Sequence, residues 1–124
     1  MSRPDIRCSV IARHLPEQSR PEAGTYVFSY TVTIRNEGDV AAQLIGRHWV
    51  ITDASGDVEE VRGLGVVGHQ PLLQPGEQFE YTSGSRLATP TGTMRGHYVC
   101  ITDDAQVFEA AIPEFMLAVA ASLH

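Results

Sequence analysis

The sequence is short of cysteine, of basic charge and of long apolar runs, and each shortage excludes something. Its two cysteines, Cys8 and Cys100, cannot supply the disulfide framework of a small secreted domain. No charged-then-apolar leader precedes the first apolar stretch. The expectation is therefore a cytoplasmic chain with both thiols free and packed as small apolar residues. Nine basic residues face fifteen acidic ones, for a net charge of −6. A phosphate-backbone binder needs a basic face, so nucleic acid is not an expected partner. The longest uncharged apolar run, Phe115 to Ala121, is far short of the roughly 18–20 residues of a membrane span. Membrane insertion, and with it a channel or pump, is not expected.

Catalytic and metal-binding patterns are also missing. The five histidines, His14, His48, His69, His97 and His124, do not form the paired His/Cys spacing of a zinc site. Asp53, Asp57, Asp103 and Asp104 fall in turns, without the D-x-D-x-D-G loop of a calcium site. Ser83, Ser85 and Cys100 lie in no nucleophile motif such as G-x-S-x-G. The reading is a non-enzyme with no cofactor and no metal.

What is present is strand pattern. At 124 residues and 43% hydrophobic, the chain can build one core, and one domain over 1–124 is expected. Ile6, Cys8 and Val10 alternate with polar neighbours in a strand over 6–14. Residues 16–24 read as a polar, proline-bearing loop. Over residues 25–37, Tyr26, Phe28, Tyr30, Val32 and Ile34 hold strict period two, as a sheet with one buried face requires. Gly38 closes the next turn, where positive φ costs glycine nothing. Residues 41–53 return as a strand carrying the single tryptophan, with Ile45, Trp49 and Ile51 on one face and Gly46 marking a bulge or a close backbone approach. Asp53–Asp57 is a hairpin turn, followed by a strand over 58–64.

Residues 66–73 connect with apolar anchors. Gln74-Pro75-Gly76-Glu77 has the type II signature, and Phe79, Tyr81 and Ser83 share one face of the next strand. Residues 84–93 read as a loop. Residues 94–102 and 106–112 form a hairpin, which Pro113 ends. The tail from Glu114 fits both strand and helix, with an extended start and a frayed end expected. Seven or eight short strands punctuated by turns give an all-β, antiparallel sandwich of the immunoglobulin or fibronectin type III kind.

Gly63, Gly65 and Gly68 spell G-x-G-x-x-G. In a dinucleotide fold these glycines open a helix whose N–H groups meet pyrophosphate. Here Val66-Val67-Gly68-His69-Gln70-Pro71 cannot make a good helix, so the motif fails its own context test. The glycines are read instead as allowing close backbone packing. Weak phosphate-anion contact by a bare loop, helped by Arg47, Arg62 or His69, is the sharper alternative.

The stretch from Arg47 to Gly84 carries a resemblance. Arg47-His48-Trp49, Ile51-Thr52-Asp53, Gly63-Leu64-Gly65-Val66-Val67-Gly68, Gln70-Pro71, Pro75-Gly76-Glu77 and Phe79-Glu80-Tyr81-Thr82-Ser83-Gly84, with Thr89-Pro90 and Gly92-Thr93-Met94 beyond, resemble the bacterial ApaG family over nearly the whole chain. The resemblance implies a fibronectin type III-like sandwich and a genetic association with cobalt and magnesium resistance. It also implies genes near a dinucleotide-tetraphosphate hydrolase and relatives that act as protein-contact modules in larger eukaryotic proteins. It brings no catalytic residues. Ser85 departs from the family, where cysteine is frequent, which argues against a thiol role there. The expected function is a binding module whose partner is another protein, contacted through a sheet edge or the Gly63–Gly68 region. The candidate residues are Arg47, His48, Trp49, Arg62, Gly63, Gly65, Gly68 and His69. The alternative is a sensor of pyrophosphate compounds or divalent cations, with an enzyme of unknown type third.

Overall fold

The period-two run over 26–36 forms the strand its alternation predicts, in the predicted phase. The computed structural model describes residues 2–119. Among them eight strands follow in order: β1 Ile6–His14, β2 Tyr26–Asn36, β3 Ala42–Asp53, β4 Val58–Leu64, β5 Leu72–Leu73, β6 Gln78–Leu87, β7 Thr91–Thr102 and β8 Val107–Ala118. Phe28, Tyr30, Val32 and Ile34 line the buried face of β2. Every pairing is antiparallel. One sheet runs β1-β2-β6 and the other β4-β3-β7-β8, with β5 following β4 along the same edge of β3. The chain is thus an antiparallel β-sandwich of eight strands. β1 and β8 lie together along one side; β6 and β4 are the outermost strands on the other.

The inner faces meet around Trp49, which is 2% exposed. Its ring meets Tyr30 of β2 at 5.3 Å, Tyr98 of β7 at 6.4 Å and Phe115 of β8 at 5.9 Å, all edge to face. This is the preferred geometry of quadrupolar rings, and it joins both sheets through one side chain. The Tyr81 and Tyr98 hydroxyls hydrogen-bond each other in the buried interior.

Several local expectations are corrected. Gly38 does not take a positive φ. A Cβ there would stand 2.6 Å from the Arg3 carbonyl oxygen, so glycine is required by the approach of the N-terminal segment. Ile45 does not share a face with Trp49. It is the extra residue of a β-bulge between Leu44, which faces Cys100, and Gly46, which faces Val99, so Leu44 is buried instead. Residues 84–93 are mostly strand: β6 continues to Leu87 and β7 begins at Thr91. Pro113 lies inside β8 rather than at its end. With Glu114 it forms a bulge between Ile112, opposite Gly96, and Phe115, opposite Met94. An edge strand tolerates a residue without an N–H at such a point. The extended start of the tail is as expected; its frayed end lies outside the described residues.

Asn36 organises the turns at one end. Its buried side-chain amide donates to the Val40 and Leu73 carbonyls, and its Oδ1 accepts from the Gly38 N–H. The type II turn is as predicted, with Gly76 at φ 88° and the Glu77 N–H donating to Gln74.

Candidate functional site

Between β4 and β5 the chain leaves the sheet and returns in a tight excursion. The Val66 N–H donates to the His69 carbonyl and the His69 N–H to the Val66 carbonyl, both at 2.8 Å. The two residues between, Val67 and Gly68, have φ of 42° and 82°. This is a two-residue hairpin loop of the type I′ sort, which suits Asn-Gly and is hostile to a β-branched residue. A valine held there stores backbone strain of about 1–3 kcal/mol.

The glycines serve this turn in different ways. Gly65 has φ 64°, and a Cβ would fall 2.4 Å from the His69 carbonyl oxygen. Gly68 needs only its positive φ, because nothing lies within 4 Å of a Cβ there. Gly63 makes room for a side chain: its Cβ would be 2.8 Å from Cζ of Arg47, its register partner on β3. Arg47 Nη1 donates to the Leu64 and Gly65 carbonyls at 2.9 Å each, tying the start of the excursion to β3. Strand–turn–strand follows the glycines, with no helix N-terminus to meet a pyrophosphate.

The candidate residues divide between two faces. Arg47 and Trp49 point between the sheets. Trp49 lies in the core and offers a partner no surface. His48 and Arg62, paired in register, stand on the outer face. His48 Nε2 is 2.8 Å from Glu60 Oε1, and Arg62 Nη2 is 3.5 Å from the same oxygen. The His48 ring meets His97 edge to face at 5.1 Å, and His97 Nε2 is 3.4 Å from Glu109. His69 turns toward β6 and packs on Phe79 at 5.8 Å. Arg47, Gly63, Gly65, Gly68 and His69 therefore belong to one structural unit, and His48 and Arg62 to another.

The spacing read from the sequence overlooked one pair, His97 and Cys100, three residues apart; the fold separates them, with Cys100 buried in the core and His97 facing outward to Glu109. Among the described residues no group of three or more His, Cys, Asp or Glu gathers within reach of one metal ion. Burial pushes the Cys8 and Cys100 thiols up to about 12, which keeps them protonated and poorly nucleophilic at neutral pH.

Sequence reasoning missed the apolar side chains that the excursion displays. Leu64, Val67 and Leu72 are 77%, 53% and 55% exposed. Hydropathy alone suggests interior anchors, and of the large apolar side chains in this segment only Val66 and Leu73 are buried. It also missed a cavity between the sheets, of about 170 Å³, beside Arg47, Tyr30, Val61, Ser83 and Ser85.

Comparison with known proteins fits this geometry. A protein ApaG of Ralstonia nicotianae is 60% identical over 124 residues, spanning 100% of both chains. One from Dechloromonas aromatica is 57% identical over 96% of this chain and 94% of its own. The crystal structure of a putative ApaA protein from Bordetella pertussis superposes with a TM-score of 0.92 at 57% identity, covering 94% of this chain and 95% of that one. The ApaG domain profile matches residues 16–102, and the chain belongs to the ApaG family.

Proposed function

We propose that the chain is a non-catalytic module that binds another protein through the excursion between β4 and β5, in the cytoplasm. One observation carries this reading. A turn closed by two backbone hydrogen bonds holds Val67 in a backbone conformation that valine avoids, and the same segment displays Leu64, Val67 and Leu72 to solvent. Strain of this kind persists where the surroundings over-determine it, and it clusters at sites of function. Rigid apolar display lowers the ordering cost of association. Any influence on cobalt or magnesium handling then passes through the partner.

The test uses Val67→Asn. Asparagine tolerates positive φ, so the variant folds at least as stably as the wild type while losing the apolar tip. Affinity capture from native cells with the wild type, Val67→Asn and Leu64→Ser as baits, quantified by mass spectrometry, gives a protein retained by the wild type and depleted by both variants. Equal retention by all three baits overturns the proposal.

A further inference from the structure

The inward row of β6 reads Phe79, Tyr81, Ser83, Ser85, Leu87. Two serines occupy positions where the alternation calls for large apolar side chains. Their small volume leaves the inter-sheet cavity of about 170 Å³, which is walled by Trp49, Ile51, Val61 and Met94 and opens between β6 and β4. That is the liquid volume of about five or six waters.

Arg47 is the cation of this cavity. Among the described residues no carboxylate lies within ion-pair distance of it; its partners are the Leu64 and Gly65 carbonyls, both bonded to Nη1. Those two bonds use both Nη1 hydrogens. The side-on edge of the guanidinium, Nε–H with one Nη2–H, is left to other partners, and this fork matches a planar carboxylate in a bidentate pair. Tyr30, Ser83 and Ser85 line the same cavity as Arg47, and burial pushes the Tyr30 phenol up, so it stays a neutral hydroxyl there. One cation, set among hydroxyls and apolar side chains, balances one negative charge. A phosphate dianion would carry a second charge out of water with no partner.

We propose that this cavity is a binding site for a monocarboxylate on a short apolar stem, with Arg47 pairing the carboxylate, Ser83 and Ser85 donating hydroxyls, and Val61 and Met94 packing on the stem. The same chemistry is offered by a free organic acid and by the C-terminus of a peptide. The site does not depend on protein contact at the excursion, and it can stand or fall separately. Because the chain is acidic, no long-range attraction assists binding.

The experiment is an NMR titration of the ¹⁵N-labelled full chain with isovalerate and, separately, isovaleramide. The acid gives saturable shifts at Val61, Ser83, Gly84 and Ser85, and at Gly65 through its carbonyl contact with Arg47. The amide binds about tenfold more weakly or not at all. Arg47→Gln loses the acid response. Because Arg47 also supports the excursion, Val61→Phe is run beside it: this variant keeps the guanidinium, fills the cavity and abolishes the same shifts. An acetylated tripeptide ending in valine, compared with its C-terminal amide, assigns the source. Binding about tenfold tighter than isovalerate identifies a peptide terminus; equal or weaker binding identifies a free acid. Equal responses to acid and amide, shifts that survive Val61→Phe, or a stronger response of these residues to inorganic phosphate would each overturn the proposal.

Discussion

Gly65→Ala and Gly68→Ala make a controlled pair, because both glycines have positive φ and only one is crowded. At Gly68, with φ 82° and nothing within 4 Å of a Cβ, alanine meets only the left-handed penalty of about 1–2 kcal/mol. Reduced freedom of the unfolded chain offsets about 0.4–1 kcal/mol of this, leaving a loss of about 0–1.6 kcal/mol. At Gly65, with φ 64°, the new Cβ falls 2.4 Å from the His69 carbonyl oxygen. That oxygen accepts the Val66 N–H at 2.8 Å. Relieving the clash stretches or breaks the hydrogen bond that closes the turn, worth about 1 kcal/mol, and disturbs the packing of fully buried Val66. With the same unfolded-state offset, the expected total for Gly65→Ala is about 1–2.6 kcal/mol, about 1 kcal/mol more than for Gly68→Ala. Guanidinium denaturation followed by circular dichroism measures both variants against the wild type, with equal m-values as the check on two-state unfolding. If the two variants differ by less than about 0.5 kcal/mol, the close approach at Gly65 has no energetic weight and this account of the motif is wrong.

Phe28→Ala, at a residue with 0% exposure, should cost about 3–5 kcal/mol; a loss under about 1 kcal/mol in the same assay would mean that β2 is held in another phase. Tyr98→Phe leaves the buried Tyr81 hydroxyl without its partner and should cost about 1–3 kcal/mol, whereas the double Tyr81→Phe, Tyr98→Phe variant should lie closer to wild type than the single changes sum to; additive losses would show no coupling. Val67→Asn should raise stability by about 1 kcal/mol by relieving the strained turn, and a lower midpoint would place valine at no disadvantage there. Half-buried Cys8, buried Cys100 and Tyr81 have their pKa values pushed up to about 12 in the folded chain, against ordinary values of 9.0 for the thiols and 10.0 for the phenol. The unfolded chain therefore releases these protons first, and the stability they contribute is complete below pH 9 and lost as pH rises toward 12. Chemical melts across that range, with tyrosinate absorbance, should show the decline, and stability flat to pH 12 would refute it.

Most of the fold was legible because its signal is local. Strict alternation over 26–34 leaves only one face to bury, and the turn at Pro75-Gly76 carries its own φ requirement. The errors fall where tertiary context overrides local pattern. Residues 84–87, glycine- and serine-rich, read as loop by composition but lie on an outermost strand, where inward positions near the opening need not be large. Pro113 reads as a stop, yet the bulge it forms with Glu114 lets β8 continue.

The candidate site was less legible, and the bulge at Ile45 shows why. Counted from buried Leu44 by strict alternation, Gly46, His48 and Val50 would face the core and Arg47 would face solvent. The extra residue at Ile45 reverses that phase. It sends Arg47 and Trp49 between the sheets and leaves His48 outside against Glu60 and His97. Gly46 hinted at a bulge, but the side chain that the bulge re-aims follows only from the pairing of β3 with both β4 and β7. Bulges are enriched beside functional sites because they redirect a side chain at little cost to the ladder. Here the redirected side chain is a guanidinium without a carboxylate partner among the described residues, in reach of two carbonyls of the excursion and beside the cavity left by Ser83 and Ser85. Arg47 therefore links the displayed turn to the inter-sheet cavity: Nη1 holds the Leu64 and Gly65 carbonyls, while the Nε–Nη2 edge is left for a ligand of the cavity.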